Sequence, residues 1–166
     1  MQNLLLKEGS NYFTAKKRLT KVERSIYQLD DILKEVLIGN ILGDIYMRRF
    51  SVSSNSRLIF RQGSVNSDYL YHLYDLFKDF TLKGPSKTII LDKETQKSRY
   101  NLSFATLALP CFNEYYELFY FDGNKIVPSN ISNYLTRVSL AYWIMDDGGY
   151  TGSGLKLYTN AFKLED

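Results

Sequence analysis

The sequence predicts an α+β fold, one αββαββα unit followed by the first helix and strand of a second, incomplete unit. Three observations carry that reading. Segments with apolar residues at helical spacing and segments with alternating apolar and polar residues follow one another in a regular order. The C-terminal stretch repeats the start of that order, and two of the apolar helices end in an acid at matching positions.

Residues 1–28 are polar and basic and read as an N-terminal arm that docks on the domain or on a partner. From Leu29 the pattern changes. "LDDILKEVLIGNILGDIYM" places Ile32, Leu33, Val36, Leu37, Ile41, Leu42 and Ile45 at helical spacing, with Asp30 or Asp31 able to cap the start and an end expected near Asp44. Gly39 and Gly43 share a face of this helix and allow another helix to come close.

"YMRRFSVSSNSRLIFRQG" reads as a hairpin turning at "SSNS", with Arg57, Ile59 and Arg61 on one face and Leu58 and Phe60 on the other. "NSDYLYHLYDLFKDF" is a second helix, capped by Asn66 or Ser67. In the hairpin "KTIILDKETQKSRYNLSFA", Arg99, Asn101 and Ser103 oppose Tyr100, Leu102 and Phe104. "LPCFNEYYELFYF" is helical after Pro110, and "GNKIVPSN" is a loop or short extended segment because a residue before proline disfavours helix. A last helix carries "SLAYWIMDD", and "GLKLYTNAF" is a strand with Lys156, Tyr158 and Asn160 on one face. The organisation is therefore an arm over 1–28, a first unit over 29–135 and the start of a second over 136–166.

Composition bounds the function only loosely. The 45% hydrophobic and 23% charged content is that of an ordinary globular domain. A net charge of +3 permits an anionic partner without requiring one. The single cysteine, Cys111, excludes an internal disulfide framework and a Cys-rich zinc site, and its apolar setting makes it a buried thiol. The single histidine, His72, reads as structural, and no "GxSxG" context supports a serine nucleophile. No apolar run is long enough to span a bilayer, so no membrane partner is expected. With 14 Tyr and 10 Phe against 3 Pro, the composition suits an A/T-rich genome, and a mitochondrial origin is expected.

The chemistry lies in the repeat. Leu37 precedes Asp44 by seven positions in "LIGNILGD", and Leu140 precedes Asp147 by seven in "LAYWIMDD". Two apolar helices packed side by side would bring both acids together. A helix C-terminus already carries partial negative charge, so paired acids there call for a cation. Carboxylates with free helix-end carbonyls form a hard oxygen site suited to Mg²⁺. Taken singly, each Asp is an ordinary helix-terminal acid; the matched register points to a site. Arg48, Arg49, Arg57, Arg61, Arg99 and Lys156 stand among Ser, Asn, Gln and Tyr on the strands. Such a face can lie in a nucleic-acid groove or simply be solvated, and its charge does not distinguish DNA from RNA.

"LIGNILGDI" and "LAYWIMDDG" resemble the two signature helices of LAGLIDADG homing endonucleases, especially the double-motif proteins of mitochondrial group I introns. "RLTKVERS", "RLIFRQGSVNSDYLYHLYDLFKDF", "LPCFNEYYELFYFDGNKIVP" and "LYTNAFKLED" resemble segments of that family in the same order, so the likeness runs from about Arg18 to Asp166. The resemblance implies an antiparallel β-saddle over double-stranded DNA and cleavage of both strands with two or more Mg²⁺ ions shared between the motif acids. It makes Asp44 and Asp147 the catalytic, metal-binding acids, with Gly43 and Asp146 supplying main-chain carbonyls. It makes Lys125 the basic residue that polarises water and Gln62 the polar residue that orders solvent. The nucleic-acid-binding set becomes Arg48, Arg49, Arg57, Arg61, Arg99, Asn101, Ser103, Lys156, Tyr158 and Asn160.

Ile45 and Tyr142 depart from the motif, each standing where the family has glycine. Family members also continue past the "FKLED" position, so this chain is expected to be an N-terminal portion completed by a second polypeptide. The alternative expectation is a catalytically inactive relative that binds structured RNA, as a group I intron maturase or a component of a ribonucleoprotein such as the mitochondrial ribosome.

Overall fold

The computed structural model describes residues 18–91 and 98–159. Most of the expected arm (1–17), the predicted tip of the second hairpin (92–97) and the end of the predicted last strand, including Asn160, lie outside the described residues. Helix α1 (Lys21–Ser25) opens on a capping box, in which the Thr20 hydroxyl accepts from the Glu23 N–H and the Glu23 carboxylate from the Thr20 N–H. This helix was not expected within the arm, although its Thr-x-x-Glu signature is present in the sequence. Contact of Tyr27 with the Phe80 ring holds the segment after α1 on the domain.

Helix α2 (Asp31–Leu42) starts at Asp30, whose carboxylate accepts from the Leu33 N–H at 2.7 Å. From Val36 to Leu42 every residue is buried, because other elements pack around the helix on all sides. Strands β1 (Tyr46–Arg48) and β2 (Arg57–Gly63) follow, then α3 (Ser67–Phe77), β3 (Ser86–Leu91), β4 (Ser98–Ala105) and α4 (Asn113–Phe119). This is the expected αββαββα order. The four strands form one antiparallel sheet in the order β1-β2-β4-β3.

Period-two alternation sets the sheet's two faces. Met47, Leu58, Phe60, Leu102 and Phe104 point to the core, where Phe60 stacks on Phe104 at 4.3 Å and meets Phe77 at 5.2 Å. Burying each of these large side chains stabilises the fold by about 2 kcal/mol.

The first hairpin differs from its sequence reading. "SSNS" is part of a longer connection, since β1 ends at Arg48 and β2 begins at Arg57. Arg49 clamps this connection by donating to the carbonyls of Val52 (2.7 Å) and Ser54 (2.9 Å), and it pairs with Glu117 of α4. Non-local tethering of this kind leaves no periodic signal in the sequence.

Between α4 and the last helix, β5 (Tyr120–Phe121) and β6 (Asn124–Lys125) form a tight hairpin. Strand β6 lies where the sequence suggests a loop or extended segment, but β5 replaces the end of the predicted helix, because the Asp122–Gly123 turn reverses the chain there. Helix α5 (Arg137–Asp147) opens on a Thr136–Ser139 capping box, and the hairpin of β7 (Gly148–Tyr150) and β8 (Leu155–Leu157) follows it. Thus α5 and its hairpin repeat the start of the first unit. Cys111 is only half-buried, at the edge of the core rather than within it as expected, and partial burial pushes its thiol up to about 11. His72 is exposed, but its ring stacks against Tyr69 and Tyr142 and its Nε2 hydrogen-bonds the Tyr142 hydroxyl at 2.8 Å, so it joins α3 to α5.

Helices α2 and α5 pack at the two glycines. A Cβ on Gly39 would run into the Ser139 carbonyl and come within 2.9 Å of the Tyr142 Cβ, and one on Gly43 would run into the Asp146 side chain. At Gly39 the obstacle is backbone, so relaxation requires the helices to part. Gly39→Ala should therefore lower stability by about 2 kcal/mol. Gly63→Ala, where an added Cβ meets nothing within 4 Å, should change it by no more than about 0.5 kcal/mol. Paired urea denaturation curves check both values.

Candidate metal centre and nucleic-acid face

The close approach at Gly43 brings the C-terminal ends of α2 and α5 together, and with them Asp44, Asp146 and Asp147. The Asp146 side chain lies over Gly43, and its Oδ2 accepts from the main-chain N–H of Asp44 at 3.2 Å. Burial pushes the Asp146 carboxyl up to about 7, against the opposing pull of that Asp44 N–H. Burial also raises Asp147, and the charge of Asp44 raises it further; the nearby Trp143 indole and the Lys125 charge pull the other way. Gln62 Nε2 donates to Oδ2 of the Asp44 carboxylate at 2.8 Å. Asn66 in turn donates to Gln62 Oε1 at 3.2 Å, which explains why it leads into α3 without capping it.

Lys125 completes the cluster. Its ammonium donates to the Gly43 carbonyl, and it is held there although burial lowers its pKa, because Asp147, Asp44 and Asp146 favour the charged form. The placement comes from the β5–β6 hairpin. Asp122 (φ 47°) and Gly123 (φ 76°) occupy the two left-handed positions of a tight turn, and Asp-Gly is the dipeptide such turns favour. That dipeptide was the sequence signal for the hairpin.

The predicted central residues Asp44, Asp147, Gly43, Asp146, Lys125 and Gln62 are therefore brought together. Asn66, Trp143 and the side chain of Asp146 join them without having been expected. Among the described residues, no group of three or more His, Cys, Asp or Glu is arranged to hold a metal ion by itself. The donors on offer are two carboxylates and the carbonyls at two helix ends, all hard oxygens. This set fits Mg²⁺ with water or phosphate filling the remaining positions, and it does not suit a soft metal.

Arg57 and Arg61 of β2 and Arg99, Asn101 and Ser103 of β4 lie on the sheet face away from the core, where Arg61 pairs in register with Ser103. Arg48 of β1 shares this face opposite Arg57. The two guanidiniums lie over the exposed Phe50 ring, at 4.4 and 5.4 Å. Phe50 is a further residue of this surface that the alternation pattern does not reveal. Arg49, by contrast, is turned back onto its loop and Glu117. Lys156 and Tyr158 belong to the separate β7–β8 region, with the Lys156 ammonium 5.0 Å from the centre of the Tyr158 ring.

Paired acids at the ends of two closely packed helices, beside a basic antiparallel sheet face, are the arrangement of one protein class. The chain belongs to the LAGLIDADG DNA endonuclease family, whose model matches residues 34–166. It is similar to the cytochrome b mRNA maturase bI2 of Debaryomyces hansenii, with 34% identity over 143 residues, covering 83% of this chain and 53% of that protein. It is also similar to the probable intron-encoded endonuclease 1 of Wickerhamomyces canadensis, with 29% identity over 148 residues, covering 83% of this chain and 62% of that protein. Among solved structures, the homing endonuclease I-WcaI bound to its DNA recognition sequence matches with a TM-score of 0.76 and 30% identity, over 84% of this chain and 64% of that one. The chain thus spans only about half to two-thirds of the length of these relatives.

The β5–β6 turn provides a direct test of how Lys125 is placed. Gly123 has open space around it, so an alanine there meets only backbone strain. Gly123→Ala should cost about 1 kcal/mol, whereas Gly123→Asn, which tolerates the left-handed region better, should cost less. Denaturation midpoints of the two variants check this order.

Proposed function

We propose that this chain is the N-terminal portion of a homing endonuclease that hydrolyses DNA phosphodiester bonds at a long site with divalent metal. The observation that carries the reading is the convergence of Asp44 and Asp147 at the α2–α5 contact, with Lys125 and Gln62 beside them. Asp44 and Asp147, with the carbonyls of Gly43 and Asp146, would hold Mg²⁺, which when bound supplies charge stabilisation for attack on phosphorus. Lys125 holds a proton beside the acids and can orient or polarise a water. Gln62, itself held by Asn66, fixes the direction of the Asp44 carboxylate. The outer face of the four-stranded sheet supplies the phosphate and base contacts, with Arg61, Arg99 and Asn101 as the side chains suited to base edges.

A second polypeptide is proposed to complete the site. The apolar residues Leu140, Met145, Tyr150 and Leu155 of α5, β7 and β8 are exposed and offer it a surface to cover. A mitochondrial origin is consistent with the composition and with the similarity to a cytochrome b mRNA maturase. That same similarity favours a second reading, in which the partner is structured RNA and the protein assists splicing.

One assay separates the two. Cleavage of DNA carrying the intron-insertion site is measured with Mg²⁺, with and without the polypeptide encoded downstream. The endonuclease reading expects cleavage that falls at least a hundredfold in Asp44→Asn and Asp147→Asn while DNA binding persists. Arg61→Ala should weaken binding by about 1–3 kcal/mol and relax specificity at the base it contacts. Tight binding to the intron RNA without metal-dependent cleavage would replace this reading with the RNA one.

A further inference from the structure

The two motif acids are anchored by different means. At the end of α2, the N–H of Gly43 bonds the Gly39 carbonyl and that of Ile45 bonds the Asn40 carbonyl. The N–H of Asp44 lies between them and bonds the carboxylate of Asp146 across the helix interface. Asp44 is therefore gripped at both ends, with Asp146 on its backbone and Gln62 on its carboxylate. Asp147 is not gripped in this way. The α2 residue at the position matching Asp146 is Gly43, which has no side chain to offer. Asp147 is instead held through its backbone by the Tyr158 N–H, which donates to its carbonyl at 2.9 Å.

We propose that the side chain of Asp146 is a positioning residue for Asp44: by accepting the Asp44 N–H it fixes the backbone from which the Asp44 carboxylate projects toward Gln62. The tight contact with Gly43 gives the Asp146 side chain little room to move, so this hydrogen bond is built into the helix packing. The role goes beyond the main-chain carbonyl that the family resemblance implies for this residue. Its bearing on catalysis rests on the endonuclease reading above, but the anchoring itself does not.

The test compares Asp146→Asn, whose side-chain carbonyl can still accept the Asp44 N–H, with Asp146→Ala, which cannot. Two readouts are taken, amide hydrogen exchange by NMR on the intact chain and metal-dependent DNA cleavage with the polypeptide encoded downstream present. In Asp146→Ala, the Asp44 amide should exchange at least tenfold faster while the Gly43 and Ile45 amides keep their protection. The kcat of cleavage should fall at least tenfold with KM little changed. Asp146→Asn should restore both. An Asp44 amide equally protected in Asp146→Ala would overturn the proposal. So would an Asp146→Asn variant that exchanges as fast as Asp146→Ala. A wild type that never cleaves, but whose Asp44 exchange responds as described, would sink the endonuclease reading and leave the anchoring established.

Discussion

The contact between α2 and α5 at Gly39 and Gly43 is the constraint on which the rest of the structure depends. Both glycines face a neighbour that would collide with any added side chain, Ser139 and Tyr142 in one case and Asp146 in the other. Because the backbones come this close, the helices end side by side and three acids share one small volume. A wider separation would leave Asp44 and Asp147 as unrelated helix-terminal residues. Burial, with the repulsion of the neighbouring acids added to it, raises the carboxyls of Asp146 and Asp147. The Lys125 ammonium, brought into the cluster by the β5–β6 hairpin, offsets part of that repulsion.

The two helices are related by sequence register but not by local chemistry. In α2 the motif keeps its glycines, and in α5 Tyr142 and Asp146 occupy the matching positions. Those larger side chains then take on work across the interface. Tyr142 stacks on His72 of α3, and Asp146 binds the end of α2. The sheet supplies the second half of the design. Its core face is fixed by large aromatics, and this rigidity sets the spacing of the arginines on the opposite face.

Much of this was legible in the chain because it rests on local periodicity. The helical runs around Leu37 and Leu140, the alternation through Arg57–Gly63 and the seven-residue offset from leucine to acid are all visible without coordinates. The features that escape are of two kinds. The Thr20–Glu23 capping box and the Asp122–Gly123 turn are written in short local signals, but the first sits in a polar, basic segment and the second directly follows an apolar helical pattern that runs through the β5 residues. The Asn66–Gln62–Asp44 chain, the inward turn of Arg49 onto Glu117 and the grip of Asp146 on Asp44 join residues far apart or on different elements, and no spacing rule encodes them. Alignment to a motif even hides the last of these, since it equates Asp146 with a glycine.

The most direct test of the account is whether Asp44 and Asp147 act as one site. Trp143, the only tryptophan in the chain, lies close enough to Asp147 to act on its carboxyl and so provides a built-in donor for terbium luminescence. Titration of the wild-type protein with Tb³⁺ should give sensitised emission that Mg²⁺ displaces. Affinity should fall at least tenfold in Asp44→Asn as well as in Asp147→Asn, although Asp44 lies on a different helix from the reporter. Wild-type terbium affinity in Asp44→Asn would contradict the claim that the helix contact unites the two acids.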